Sequence, residues 1–518
     1  MENMHWPLLS ILTWLPLAGA LLTLLVNNRD AAQEAANARA VALWVSVITL
    51  ILSGLLLAGF RHDMYGMQFE EKHAWIPDLN INYHMGVDGL SVMFVALTAL
   101  LTPLCILVSW TSITERVKHY MAAFLALESA VIGVFCALDF ALFYIFWEAM
   151  LIPMFLIIGI WGGENRVYAT LKFFIYTFAG SLLMLVAMLY LYNVSGGSFD
   201  IQKLAELDLP LNVQILLWLA FFAAFAVKVP MWPFHTWLPD AHVQAPTAGS
   251  VILAGILLKM GGYGFLRFNL PILPEATAYF APAMFWLSAI AIVWAALVAF
   301  AQTDIKKMIA YSSVSHMGFV TLGIFAGTSD ALNGAILQMV NHGVVSAALF
   351  MLIGVIYERM HTRNITHFGG VVQPMPVYAG IFMVFMLASV ALPGTNSFVG
   401  EFLILSGAYP VAQAATIVAC SGVVLGALYM LWLYRKMIFG EAKHTAVREL
   451  EDMNAREVAM FIPLILAVFY IGLMPDKTID ISRLAVEKLR SQSIALPQSA
   501  IGEYALPTLP AAPTEEMH

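Results

Sequence analysis

Four charged side chains stand in long apolar stretches, where a membrane interior would surround them. Glu148 lies in FWEAMLIPM, Lys228 in FAVKVPMWP, Lys259 in GILLKMGGYG and Glu401 in SFVGEFLIL. A charge at the centre of a bilayer costs roughly 2.5–3.5 kcal/mol on insertion scales, so each of these residues is a candidate for function. Unpaired, the four would together cost roughly 10 kcal/mol or more. We therefore expect them to be paired, hydrated or both.

A buried Glu and a buried Lys in contact form a proton switch. Each charge favours the charged form of its partner, whereas burial favours the neutral form of both groups. When the partners separate, Lys releases a proton or Glu accepts one, which is the chemistry that proton transport needs. A helix break beside such a residue frees backbone groups that water can satisfy. Pro230 follows Lys228 closely, so we expect a hydrated break there.

Two histidines form a second group of candidates. His316 in YSSVSHMGF and His342 in QMVNHGVVS both fall within apolar segments. An imidazole titrates near neutral pH, which suits a proton relay. An intramembrane histidine can equally be a hydrogen-bonded packing residue, so both interpretations remain open at this point.

Each charged candidate also has a structural alternative, in which it holds helices together and moves no proton. Glu128 in LALESAV could act itself or support Glu148. His235 and His242 in FHTWLPDAH lie nearer the end of a predicted span and are not spaced as zinc ligands with any Cys. Asp240 could pair with His242 simply to close a loop.

Membrane-spanning helices must position these residues. The chain has 518 residues, of which 61% are hydrophobic and 11% charged, and this excludes an ordinary soluble protein. Windows of about 20 mainly apolar residues predict spans at 7–26, 41–60, 89–110, 119–137, 140–160, 169–193, 213–240, 246–267, 277–301, 307–326, 330–357, 375–408, 411–437 and 457–474. We predict an all-α polytopic membrane protein with about 14 transmembrane helices and no soluble domain.

The spans from the fourth onward divide into two groups of five. The fourth span of each group contains a helix breaker, at Lys228-Val229-Pro230 in the first and at Leu392-Pro393-Gly394-Thr395 in the second. An odd number of spans per copy places the second copy upside down, which predicts two inverted five-helix repeats, each with one discontinuous helix. The predicted parts are a three-helix segment at 1–118, the repeats at 119–267 and 268–437, and a C-terminal helix with a proline-rich tail at 438–518.

Basic residues predict the orientation of the chain in the membrane. Of the 25 Lys and Arg, the loops on one side hold fifteen, and the side of the two termini holds eight. Basic loops stay in the cytoplasm, so we expect both termini on the opposite side.

Cofactor and nucleic-acid binding find no support in the sequence. Cys105, Cys136 and Cys420 each stand alone in an apolar segment, and no CxxC or Cys/His cluster is available. We therefore expect no iron–sulfur cluster, haem, zinc or other metal site in this chain. The net charge of −8 gives no sign of nucleic-acid binding.

Four long motifs follow one another along the chain. They are FYIFWEAMLIPM (143–154), KVPMWPFHTWLPDAHVQAPTAGSVILAGILLKMGGYG (228–264), KKMIAYSSVSHMGF (306–319) and LPGTNSFVGEF (392–402). Together they resemble the antiporter-like membrane subunits of respiratory complex I, and the resemblance extends over spans four to thirteen. Some members of that family carry Lys on the second broken helix, whereas Glu401 matches the members that carry Glu.

The resemblance implies a proton pump module in a bacterial inner membrane. Glu148 and Lys228 look like the pair on the fifth and the broken seventh helices, and Lys259 looks like the central bridging lysine. His316 and His342 look like the histidines of the connecting polar axis, and Glu401 like the terminal proton-exchanging carboxylate. Protons would be taken up from the cytoplasm near Lys228 and released near Glu401.

Cofactors and partners follow from the same resemblance. The complex would use NADH, FMN, iron–sulfur clusters and quinone in its other subunits, and none in this chain. The expected partners are the other complex I membrane subunits, especially neighbouring antiporter-like ones, and lipid. A subunit of an Mrp-type cation/proton antiporter or of a hydrogenase complex would share the same motifs, and a passive scaffold would merely hold helices with its buried charges.

Overall fold

The computed structural model of the protein describes residues 6–442 and 444–492, most of which are helical. Within these residues, twelve helices are long and apolar enough to cross a membrane, and two shorter apolar helices are Val92–Val108 and Pro376–Ser389. A bilayer offers no hydrogen-bond partners for backbone N–H and C=O groups. A chain as apolar as this one must therefore satisfy these groups within helices. The prediction of a polytopic helical membrane protein with about fourteen spans is confirmed.

Most of the spans follow one another with short connections, and the connection between the second and third spans is long. The first seven are Leu8–Leu25, Ala31–Gly59, Val92–Val108, Val117–Cys136, Phe140–Trp161, Arg166–Val194 and the pair Leu211–Lys228 with Trp237–Gln244. The other seven are Thr247–Ile272, Pro274–Phe300, Ile305–Ala326, Ser329–Met360, the pair Pro376–Ser389 with Asn396–Ala408, Gln413–Ile438 and Ala455–Leu473. Single helical turns lie in the connections at Pro77–Leu79, Ile201–Leu204, Ile365–His367 and Thr445–Arg448. The fifth span consists of two helices, Phe140–Ala149 and Leu151–Trp161, which meet at Met150.

The first predicted break separates the two halves of the seventh span. The first half ends at Lys228, because Pro230 has no N–H with which to continue the helical hydrogen bonds. The second half begins at Trp237, and its indole Nε1 donates to the carbonyl oxygen of Val227 at 2.9 Å. This bond satisfies a carbonyl near the end of the first half.

The second predicted break lies in the twelfth span, between Ser389 and Asn396. Gly394 adopts a φ of 92° here, a conformation that glycine reaches without steric cost. The hydroxyl of Thr395 donates to the carbonyl oxygen of Leu392 at 2.7 Å and so satisfies a backbone group within the break. Each broken span is fourth in its group of five, as the sequence predicts.

The core of the molecule lies around the eighth and eleventh spans. Every residue in the apolar window of Thr247–Ile272 and of Ser329–Met360 is buried, whereas more than half of the window is accessible in the first, second, sixth, thirteenth and fourteenth spans. A helix that is apolar on all sides and buried belongs to the interior of a bundle. The two central helices carry Lys259 and His342, so both residues are placed far from lipid.

A β-hairpin, which the apolar windows of the sequence do not predict, occupies the long connection between the second and third spans. Strand β1 is Gln68–Ile76 and strand β2 is Ile81–Val87, and they pair in antiparallel register. Asn80 ends the turn in the left-handed conformation, which Asn tolerates better than most residues. The hairpin is tied to the bundle where the N–H of Leu138 donates to the carbonyl oxygen of His84 at 2.8 Å.

A further helix, Pro475–Gln492, follows the last span and lies against the end of the bundle. Its buried face includes Ser482, Val486 and Leu489, and the Ser482 hydroxyl contacts the side chain of Asn333 at 2.9 Å. The sequence interpretation expected no helix after the fourteenth span. The proline-rich tail expected beyond it lies outside the described residues.

Candidate functional site

Lys259 lies at the centre of the bundle with no accessible surface. Two π-helical turns, Leu253–Leu257 and Phe265–Asn269, flank it within the eighth span. The Lys259 ammonium donates to the carbonyl oxygen of Ala254, five residues earlier, and lies 2.6 Å from Nδ1 of His342. A π-helical turn widens the helix and is often found at functional sites. Lys259 and His342 are therefore in direct hydrogen-bond contact.

Glu401 lies at the other end of the same polar row. Nδ1 of His316 is 2.9 Å from Oε1 of Glu401, and Nε2 of Gln338 donates to the same oxygen at 3.0 Å. The carboxylate is only 4% exposed, so both contacts lie in a dry environment where they are electrostatically strong. Gln338 was not among the residues predicted from the sequence.

The two imidazoles bridge these ends. The ring centroids of His316 and His342 are 5.8 Å apart, and Nε2 of each ring is buried with no hydrogen-bond partner among the described residues. A cavity of about 10 Å³ lies beside both rings, and Ser312, Gln338 and Ser346 also line it. That volume is about the minimum for one water molecule, which could join two imidazoles at this separation. The structure thus brings Lys259, His342, His316 and Glu401 into one row.

Lys228 and Glu148 lie near each other without a direct ion pair. The Lys228 ammonium is 3.8 Å from Sδ of Met150 and 5.2 Å from the ring centroid of Trp147, both on the span that carries Glu148. The ammonium is buried, whereas the Glu148 carboxylate is half-buried beside the hydroxyl of Tyr144. The aromatic face provides part of the stabilisation that a carboxylate would otherwise supply.

The structure also shows the surroundings of Asp240, His242 and Glu128, for which the sequence allowed more than one interpretation. Asp240 pairs with Lys172 at 2.7 Å and not with His242, so the proposed Asp240–His242 loop closure is wrong. His242 has no accessible surface and stacks on Phe350 at a centroid distance of 4.4 Å. Aromatic packing in the interior outweighs the local pairing that the sequence suggested. Glu128 is buried in the fourth span at 1% exposure.

Comparison with known proteins identifies the family. A sequence model described as "NADH:quinone oxidoreductase/Mrp antiporter, TM" matches residues 137–427, which is more than half of the chain and includes all six predicted site residues. The chain belongs to this family. Among its relatives is NADH-quinone oxidoreductase subunit M of Rhodobacter capsulatus, 54% identical over 487 residues, with 92% of this chain and 94% of the relative covered. NADH-ubiquinone oxidoreductase chain 4 of Marchantia polymorpha is 47% identical, with 93% and 96% covered.

Solved structures agree with the family assignment. A chain of respiratory complex I from Thermus thermophilus is similar with a TM-score of 0.85 and 30% identity, and the match covers 94% of this chain and 99% of that one. A chain of the Mrp complex from Dietzia sp. DQ12-45-1b has a TM-score of 0.79 at 20% identity, with 94% and 52% covered. The second likeness shows a shared fold alone.

The sequence did not predict that two further basic residues, Lys306 and Arg267, are buried. Lys306 was counted among the loop residues, but it is buried, and its ammonium donates to the carbonyl oxygen of Ala245 at 2.6 Å. Lys306 lines a cavity of about 460 Å³ that Phe350, the ring stacked on His242, also lines. Other polar and charged side chains in the cavity wall include Thr111, Ser112, Gln244, Glu358, His361 and Arg363.

Arg267 is the second basic residue whose burial was not predicted. It lies near the end of a predicted span, where a charge is usually solvated. Its guanidinium makes two hydrogen bonds to Asp88, at 2.6 and 2.8 Å, and a third to the hydroxyl of Tyr263 at 3.0 Å. Burial raises the pKa of the Asp88 carboxyl, but the Arg267 guanidinium more than offsets this, so that pKa lies below its ordinary value. No sequence signal distinguishes such a pair, since the partners are far apart along the chain.

Proposed function

We propose that this chain is the proton-translocating membrane subunit of NADH:quinone oxidoreductase that corresponds to subunit M. The observation that supports this proposal best is the buried row from Lys259 through His342 and His316 to Glu401. Each member can gain or lose a proton, and the gap between the two imidazoles is of a size that one water could bridge. The relatives that support the assignment are named as subunits of that oxidoreductase.

The proposed route begins near Glu148 and Lys228 in the first group of five spans. A proton passes to Lys259, crosses His342 and His316, and leaves near Glu401. Lys228 has no carboxylate within ion-pair distance, and it can be charged or neutral according to where Glu148 moves. The polar cavity that Lys306 lines supports uptake at the face where most basic loop residues lie.

The proposed setting of this function rests on the resemblance and, for the orientation, on the distribution of basic residues. NADH, FMN, iron–sulfur clusters and quinone act in other subunits, and the partners of this chain are the neighbouring antiporter-like subunits and lipid. The membrane is the bacterial inner membrane, with both termini on the periplasmic side. The division into parts at 1–118, 119–267, 268–437 and 438–518, and the inverted relation of the two repeats, belong to this proposal.

Lys259→Leu tests the proposal in the assembled complex. NADH:quinone electron transfer and the proton gradient are measured together in inverted membrane vesicles, and assembly is checked by native gel. Loss of a positioned proton-transfer group typically costs about 100-fold or more, so both activities are expected to fall on that scale. Lys203→Leu, which alters an exposed loop lysine, is the control and leaves both activities unchanged.

The outcomes separate the rival functions. Near wild-type pumping by an assembled Lys259→Leu complex would show that the buried row is structural. Sodium-dependent proton exchange that continues without NADH would instead indicate an Mrp-type antiporter subunit.

A further inference from the structure

An apolar groove of about 750 Å³ runs along the outer surface of the first, fourth and fifth spans. Small side chains of the fourth span, such as Ala122 and Ala126, line it together with the exposed Leu21, Ile152 and Leu156. The groove is a depression in a membrane-facing surface, and its walls are almost entirely hydrocarbon. It lies apart from the buried polar row described above.

The groove extends from the end of the membrane to its middle. Along the fourth span it is lined from Arg116 to Ala130, a distance of about 21 Å at the rise of an α-helix. One leaflet of the hydrocarbon core is about 15 Å thick, so a groove of this length covers one leaflet and the adjoining headgroup region. Trp161 lies at the same end as Arg116, where interfacial tryptophans are common.

The lining of the groove suits an acyl chain. Apart from the end formed by Arg116 and His119, it consists mostly of Ala, Leu, Ile, Pro and aromatic side chains. Contact between these side chains and a hydrocarbon tail leaves no charged group unpaired.

The end of the groove is positively charged. Arg116 and His119 line it, both are exposed, and neither forms an ion pair with another described residue. The neighbouring Lys118 differs, because it pairs with Glu34 at 3.0 Å. An arginine guanidinium binds phosphate oxygens in bidentate fashion, and basic pockets between membrane helices bind anionic headgroups.

We propose that this groove binds an acidic phospholipid, with its phosphate at Arg116 and His119 and an acyl chain along Ala122 and Ala126. The length of the groove, its apolar walls and its single charged end together fit that ligand. The groove is also lined by Ala149, the residue after Glu148, so the bound chain would cover one side of the helix that carries Glu148.

Photocrosslinking tests this site in the assembled complex. The complex is reconstituted into phosphatidylcholine nanodiscs that contain a small fraction of phosphatidylglycerol with a diazirine in its acyl chain. After irradiation, adducts are mapped by mass spectrometry and are expected on groove residues of the first, fourth and fifth spans. Arg116→Gln is expected to lower the yield of these adducts about fivefold, the effect of one basic residue at a membrane surface.

Three controls make the result specific. Arg29→Gln changes an exposed basic residue at the same end, outside the groove, and leaves the yield unchanged. A diazirine-bearing phosphatidylcholine gives a lower yield that does not respond to Arg116→Gln. Ala126→Leu fills the groove and removes the adducts at its floor, and Leu156→Trp does so from the rim if the first variant fails to assemble.

Two results would overturn the proposal. Equal adduct yields from the acidic and the neutral lipid, insensitive to Arg116→Gln, would mean that ordinary boundary lipid lies there. Absence of lipid adducts from the groove would mean that another subunit covers it. Neither result bears on proton transfer through Lys259, which the vesicle experiment tests separately.

Discussion

At the scale of single residues, Glu401 is held by two donors that differ in kind. His316 can exchange a proton with the carboxylate, whereas the Gln338 amide can only donate a hydrogen bond to it. On the proposed route, Gln338 is therefore a positioning residue, which keeps the carboxylate oriented while His316 exchanges the proton. Gln338 also lines the small cavity beside both imidazoles.

Removal of the Gln338 amide is expected to slow proton transfer and leave the fold intact. A hydrogen bond to a charged group contributes about 1.5–3 kcal/mol, so Gln338→Leu should lower coupled proton pumping by roughly tenfold or more. The measurement is the initial rate of gradient formation in inverted vesicles. Gln302→Leu is the control, because the Gln302 side-chain amide, just after the ninth span, donates to the carbonyl of Val298 and lies outside the polar row. An unchanged rate in Gln338→Leu would show that the carboxylate needs no such support.

The sequence reveals intramembrane charges better than it reveals their contacts. Lys259 and Glu401 were identifiable because a charge within an apolar segment is costly in a membrane and therefore indicates a function or a specific partner. Lys306 and Arg267 were not, because both lie near predicted span ends, where a side chain can reach water or turn inward. Whether such a side chain reaches water or turns inward depends on how the helices pack around it.

At the scale of elements, the seventh and eighth spans meet closely just beyond Lys228. A Cβ atom on Gly261 would lie 2.8 Å from the backbone oxygen of Phe225 and 2.8 Å from the backbone nitrogen of Val229. Backbone atoms cannot give way as flexible side chains do. Glycine at this position therefore allows the two helices to approach at the break itself.

Gly261→Val is expected to separate these helices. Overpacking at a rigid contact costs about 1–3 kcal/mol, and here the displaced helix also carries Lys228. We expect a lower midpoint of thermal unfolding and less assembled complex on a native gel. Gly380→Val is the matched control, since nothing lies within 4 Å of the Cβ position in that helix. Equal stability of the two variants would contradict a tight contact at Gly261.

The positions of the helices were predictable, but their irregularities were not. Apolar windows located all fourteen spans, and Pro230 and Pro393 located both breaks, because proline removes a backbone donor. The π-helical turns around Lys259 have no such marker, since LAGIL and FLRFN would suit an α-helix equally well. The β-hairpin was missed because its strands are short and polar, so neither a helical nor an apolar pattern stands out.

At the scale of the whole molecule, the helix Pro475–Gln492 and the β-hairpin close one end of the bundle. The helix lies so close to the turn before the third span that a Cβ atom on Gly89 would clash with the backbone oxygen of Ile481. The hydroxyl of Tyr65 donates to Glu487 at 3.0 Å, which links the helix to the segment before β1. The same end contains the Asp88–Arg267 ion pair.

Val486→Asp is expected to detach this helix. Val486 has no accessible surface, and an unpaired carboxylate there would cost several kcal/mol. Limited proteolysis of the assembled complex should then cut within 475–492 at a protease concentration that leaves the wild type intact. Lys488→Asp places the same charge on the exposed side of the helix and should leave the cleavage rate unchanged. Equal resistance of both variants would show that other contacts hold the helix in place.

The depth of the polar row has a consequence for voltage. Lys259, His316 and His342 each lie near the midpoint of a span, so a proton that passes between them moves sideways at nearly constant depth. A full crossing of the membrane against its potential requires about 2.3 kcal/mol per charge for each 100 mV, but lateral movement requires almost none of this work. On the proposed route, the membrane potential therefore acts on the vertical steps before Lys259 and after Glu401, and a rise in that potential should slow those steps alone.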